Sequence, residues 1–303
     1  MTPSRRALLT AALPVFTLLA CTKRDDPSVV RGPVQANASL CPQTQAPRAV
    51  GTLANGSLVE VSGLTASSTH ERAFYTHNDS GDAARVFALA DDGTLRAELA
   101  LEGATATDIE DIATGPCGSA RCVFVADMGD NGATRSEVAI YRFVEPPELV
   151  SSRVAVATIR FRYEDGPHNA ESLLVDPRDG ALYVITKEKT GASSLFAVPP
   201  DGGIATRRAR LAPPLGSNLF TGASFAPAGD RVALRTYTHA FVYPVLGPEA
   251  LAAALERPPC VVAAPDEPQG EAIAFTRDGL ALRFASEGKN VPFYEVALAP
   301  PAP

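Results

Sequence analysis

Glu110, Glu171 and Glu271 stand out because each opens a short apolar run with alternating β-type pattern, in Asp-Ile-Glu-Asp-Ile-Ala, Asn-Ala-Glu-Ser-Leu-Leu and Gln-Gly-Glu-Ala-Ile-Ala-Phe. Ser62 and Thr221 hold the same place in two weaker copies. The five positions recur roughly every fifty residues, with one step nearer sixty, the length of a four-stranded propeller blade. First strands of such blades line a common axis, so the three glutamates should converge at one mouth. Like charges there repel by about 4 kcal/mol per pair at ~4 Å and an effective dielectric near 20, so a proton, a basic partner or a cation has to offset them.

A second set of polar residues ends the second strand of each repeat, roughly fifteen positions further on: His77, Asp127, Lys187, Arg235 and Glu287. Lys187 and Arg235 could balance the glutamates directly, giving an ion-pair ring with no ligand. The functional reading places a divalent cation on Glu110, Glu171, Glu271 and Asp127. Asn78, Asp79, Asp130 and Asn131 lie in the adjoining loops, and with His77, Lys187, Arg235 and Glu287 they make a candidate ligand-binding set. Hard oxygen donors of this kind suit Ca²⁺ or Mg²⁺. A bound ion could also activate water, with His77 or Asp127 as base. Asp and Asn beside Gly are equally the ordinary chemistry of tight turns. There is no Gly-x-Ser-x-Gly elbow, phosphate loop or His-Glu-x-x-His.

The elements that must carry these residues are short strands separated by Gly, Pro, Asp and Asn turns, four to a repeat. The reading is an all-β propeller over residues 46–303, with five blades favoured and six if the longer step hides a degenerate unit; an open sandwich is the alternative. Arg153 to Tyr163 reads as one long fourth strand of the second blade with a bulge between Val156 and Ile159. Pro248 to Leu255 is the one helical candidate. The fifth blade lacks a fourth strand, and the spare segment Pro47 to Leu53 can supply it and close the ring.

The Asp-Ile-Glu-Asp-Ile-Ala and Gln-Gly-Glu-Ala-Ile-Ala-Phe stretches resemble those of secreted phytase-like propellers and of the wider group with gluconolactonase-like and NHL-repeat propellers. The resemblance implies calcium or another divalent ion on the axis, with Glu110, Glu171 and Glu271 as the matching acids, and some proteins of that kind are hydrolases. The functions expected are therefore binding of a small anionic or carbohydrate ligand at the axial mouth with a divalent cation, a metal-dependent hydrolase of phosphate esters or lactones, or a protein-interaction scaffold.

The balance of 34 acidic against 27 basic residues, net −7, argues against a nucleic-acid surface. Residues 1–21 read as an export signal, with Arg5-Arg6 ahead of an apolar stretch. The pair weakly resembles a twin-arginine signal, and Leu18-Leu19-Ala20-Cys21 resembles a bacterial lipobox, which implies cleavage before Cys21 and a lipid on its thiol. Residues 22–45 read as a polar tether. A monomer held to the membrane of the bacterial cell envelope is the expectation. In an oxidising space the remaining cysteines suggest two bridges: Cys117 with Cys122 in a short loop, leaving Cys41 with Cys260. A metal knuckle at Cys117 and Cys122 is the weaker alternative, because no second ligand pair accompanies it.

Overall fold

The strand-forming stretches are short, rich in apolar residues and bounded by residues that turn the chain, and most of them pair antiparallel with their neighbours in sequence. The computed structural model describes residues 40–217, 219–247 and 250–300. The export signal, Cys21 and most of the tether lie outside them. The first unit comprises Val61–Ala66, Ala73–Asn78, Arg85–Ala90 and Leu95–Glu102; the second, Ile109–Cys117, Ala120–Asp127, Val138–Val144 and Ala157–Tyr163. The third runs through Ala170–Val175, Leu182–Thr186, Ser193–Val198 and Gly203–Leu211; the fourth, Phe220–Phe225, Arg231–Thr236, Ala240–Pro244 and Cys260–Val262. The fifth has Gly270–Phe275, Ala281–Ser286 and Val291–Ala299, and Arg48–Leu53 pairs antiparallel with Val291–Ala299 as its outer strand. The chain is a β-propeller whose ring is closed by its own N-terminal strand.

Closure is visible in the core, whose apolar clusters lie between neighbouring units. Tyr75 and Val86 pack with Ile112 and Val125; Phe124 and Phe161 with Leu173 and Phe196. Leu174 and Ile185 meet Leu234 and Phe241; Ala233 and Val242 meet Ile273 and Phe284. Ala272, Ala274 and Phe293 pack on Leu64, Phe74 and Phe87, joining the last unit to the first. No sheet buries an apolar face alone, so the hydrophobic gain accrues to the closed ring. The disulfide Cys41–Cys260 ties the closing segment to the fourth unit, and Cys117–Cys122 closes a hairpin. Both bridges expected from the spacing are present, and they indicate an oxidising, exported compartment.

Two local expectations need correction. The fourth strand of the second unit is not one bulged strand. Ser152–Ala155 leaves to pair in parallel with Leu95–Glu102 of the first unit, and only Ala157–Tyr163 pairs with Val138–Val144. The slip in alternation after Val156 marks this change of partner. The helix covers Leu251–Leu255 only; residues 248 and 249, where it was expected to start, lie outside the described set. Among the described residues no helix is long and apolar enough to cross a membrane.

Candidate functional site

The repeated acids owe their direction to a defect shared by all five first strands. Pairing with the second strand slips between Ile109 and Asp111, between Ala170 and Ser172, and between Gly270 and Ala272. It slips likewise between Phe220 and Gly222 and between Val61 and Leu64. The residue skipped is Glu110, Glu171, Glu271 or Thr221, and in the first unit Ser62 falls within the slip. A bulge leaves one residue out of the ladder and re-aims its side chain. Here it turns each repeated residue inward, and all five are buried. Ser62 Oγ donates to the Glu110 carbonyl (2.8 Å) and Thr221 Oγ1 to the Gly270 carbonyl (3.1 Å), so neighbouring first strands are stitched to one another.

The three glutamates have different surroundings. Glu171 accepts from Lys187 Nζ and from Asn169 Nδ2 (3.1 Å). Lys187 also donates to the Tyr237 hydroxyl (2.6 Å) and lies 4.7 Å from the centre of that ring. Burial alone would lower the Lys187 pKa, but Glu171 and Glu271 hold it above its ordinary value. Glu271 accepts from Gln269 Nε2 (3.4 Å), while its Oε2 is buried with no partner, and burial pushes its carboxyl up to about 8. Glu110, 3 % exposed, receives no side-chain hydrogen bond from any described residue. Its pKa is raised well above the usual range, first by burial and then by the charges of Glu171, Asp79 and Asp108.

The sequence explains this difference. Two positions before the acid stands an amide in the third and fifth units, Asn169 and Gln269, and each donates to its glutamate. The second unit has Asp108 there, which as a carboxylate cannot donate. One oxygen each of Asp79, Asp108 and Glu110 therefore lie within 4.8 Å of one another. The cluster is held tightly: a Cβ on Gly129 would fall 2.2 Å from Glu110 Oε1 and 2.4 Å from Asp108 Oδ2. Burial, with the charge of Asp79 next, raises the Asp108 carboxyl to about 6, and burial also raises that of Asp79.

The other expected site residues divide between this mouth and its scaffold. Asp79, Lys187 and Glu287 face it; burial and the nearby Asp79 raise the Glu287 carboxyl. Asp127 is buried and committed, pairing with Arg135 Nη1 (2.8 Å) and accepting from the amides of Thr107 and Asp108 (3.1 Å each). Asp130 accepts from the Arg135 amide (2.6 Å), and its own amide donates to Asn169 Oδ1 (2.7 Å). Asn131 is exposed beside it. Asn78 uses both ends of its amide on Val59, Glu60, Ser57 and Asp82. Arg235, expected to balance the glutamates, is wholly buried, with Nη2 on Glu267 (3.0 Å) and Nη1 on the Ala272 carbonyl (2.8 Å). His77 lies in the interior. Its Nδ1 faces the Asn78 carbonyl (2.9 Å), its Nε2 has no partner, and burial pushes its pKa down to about 4. A base working at the mouth is not where this ring sits: a Cβ on Gly63 would fall 2.5 Å from His77 Nε2 and 2.8 Å from Asp111 Oδ1.

Asp108, Arg135 and Tyr237 were not singled out as site residues. Asp108 could have been found by aligning the three strong repeats on their glutamates and reading two places back. Asp111 was missed too: buried on the axis, its Oδ2 accepts from the Leu173 amide of the next unit (2.7 Å).

No family description matches this chain, and no curated relative does. Among solved structures it is similar to a gluconolactonase of Xanthomonas campestris at 13 % identity, covering 86 % of this chain and 97 % of that one, with a TM-score of 0.48. Nidogen in a nidogen–laminin complex is similar at 14 % identity, 76 % and 73 % coverage and a TM-score of 0.42. U3-55K is similar at 12 % identity, 78 % and 68 % coverage and a TM-score of 0.41. The assignment of the fold rests on the strand pairing and shared core described above.

Proposed function

We propose that the protein is an exported, lipid-anchored propeller that binds a divalent cation, Ca²⁺ or Mg²⁺, through Asp79, Asp108 and Glu110. The cation then holds a small anionic or carbohydrate ligand over the mouth. The observation that carries this reading is Glu110: a buried carboxylate with no donor, set beside two further carboxylates where the sister repeats place an amide. An ionised group so placed costs several kcal/mol unless a charge compensates it. Lys187 is already engaged by Glu171, so a bound cation would supply the compensating charge that otherwise has to come from a proton. A ligand oxygen would complete the coordination shell, since Ca²⁺ takes six to eight oxygens.

Calorimetric titration of the chelator-treated protein tests the reading. Ca²⁺ is expected to bind saturably with one site, and Asp108→Asn to weaken it by about 100-fold while the fold persists, the loss of one charged ligand being worth roughly 2–3 kcal/mol. Absence of heat with both Ca²⁺ and Mg²⁺ would rule it out. Hydrolysis is the second reading, favoured by Glu271, whose carboxyl at about 8 exchanges a proton close to neutral pH. Turnover of phosphate esters or lactones that Glu271→Gln abolishes would establish it.

A further inference from the structure

The first strands run away from the acidic mouth, and at their far end they enclose a different chamber. Ala66, Gly115, Val175, Phe225 and Phe275, from the C-terminal parts of all five first strands, line a cavity of about 170 Å³. It lies at the opposite end of the axis from Glu110 and shares no residue with the carboxylate site.

Its chemistry is inverted as well. The fourteen lining residues include Arg121 and Arg277 and no Asp or Glu. About half of the described arginines pair with a carboxylate, as Arg85, Arg135 and Arg283 do. Arg121 is exposed, and its guanidinium has no hydrogen bond or ion pair with any described residue. Arg277, also exposed, has only the Thr69 carbonyl, at 3.3 Å from Nη1. Two exposed guanidiniums with no carboxylate partner among the described residues lie beside one cavity, and such groups can hold an anion with paired hydrogen bonds.

The walls are set in advance. Glu145 is buried and accepts from the Ser68 amide (2.8 Å) and Thr69 Oγ1 (2.5 Å), and Ser67 Oγ accepts from the His70 amide (2.8 Å), fixing the loop between Arg277 and the first unit. Thr114 Oγ1 donates to the Ala66 carbonyl (2.9 Å) and Ser224 Oγ accepts from the Phe275 amide (3.0 Å), so these hydroxyls serve the scaffold. Val175, Phe225 and Phe275 add apolar surface. A cavity of about 150 Å³ admits a single six-membered ring.

We propose that this chamber is a second binding site, for a small organic anion: a carboxylate or phosphate ester whose head engages Arg121 and Arg277 and whose ring-sized body rests on Phe225 and Phe275. The site is independent of the cation at the other mouth.

The test is calorimetric titration of the full chain with benzoate and glucose 6-phosphate, and with benzyl alcohol, glucose and inorganic phosphate as controls. At least one organic anion is expected to bind saturably, more weakly at high salt, and the uncharged analogues are not. Arg121→Gln and Arg277→Gln should each weaken binding by about tenfold or more, and Lys at either position should recover part of it. Both side chains are exposed, so the variants should melt with the parent; Asp108→Asn should bind these anions unchanged. The proposal is overturned if neither organic anion binds with Kd below about 10 mM, if the double Gln variant binds as the parent does, or if inorganic phosphate alone binds as tightly as the ester.

Discussion

Glu110, Glu171 and Glu271 are one residue type in one structural position, and their neighbours give them three electrostatic states. Glu171 is paired with Lys187, the Glu271 carboxyl is pushed up by burial with only a weak amide contact, and Glu110 is left with two aspartates. This has a consequence for stability in the absence of metal. Asp108 titrates at about 6 in the fold against an ordinary 3.8, and Glu271 at about 8 against 4.5. Over those intervals the folded protein retains protons that the unfolded chain has released, so stability falls as pH rises through them. Urea unfolding of chelator-treated protein should therefore give its highest midpoints on the acidic side and decline toward pH 8, and saturating Ca²⁺ should flatten the decline. Midpoints that rise over this range without metal would contradict the assigned environments. The acids themselves were legible from their repetition. The identity of the member left without a donor was not, because it depends on a residue two places back whose role appears only once Asn169 and Gln269 are seen donating.

At the scale of the element, the first strand is the working part. Its alternation marks it as a strand, but alternation does not announce the bulge that turns the repeated residue inward. Glycine does hint at it, and at how near the strands come. A Cβ on Gly222 would sit 2.6 Å from the Glu271 carbonyl of the next unit, a backbone contact that no rotamer change relieves. Gly222→Ala should accordingly lower stability by about 2 kcal/mol through forced separation of two first strands. Chemical denaturation of the variant measures this, and an unchanged midpoint would mean that the strands are looser than described. His77 and Arg235 lie deeper than the rim positions expected of them. Each ends a second strand, as expected, but strand length and twist carry both side chains into the interior rather than onto the rim. Arg235 has become the partner of Glu267, a residue with no repeat equivalent to betray it. The long fourth strand of the second unit was misread because a slip in alternation looks the same whether a strand bulges or changes partner.

Across the whole molecule, the repeat length, the surplus N-terminal segment and the cysteine count were enough to foresee a ring closed by its own beginning, with Cys41 bound to Cys260. Closing the ring gathers residues from distant parts of the chain at two mouths of opposite character, carboxylates at one and guanidiniums at the other. The second mouth was invisible in the sequence because Arg121 and Arg277 share no repeat position; only the far ends of the strands bring them together. The central claim is that the carboxylate mouth holds a cation. Crystals soaked in Mn²⁺, a stand-in for Ca²⁺ with strong anomalous scattering, test it most directly. The account predicts one anomalous peak bonded to Asp79, Asp108 and Glu110, lost in Asp108→Asn. A mouth without a peak, or a peak bonded elsewhere on the molecule, would contradict it.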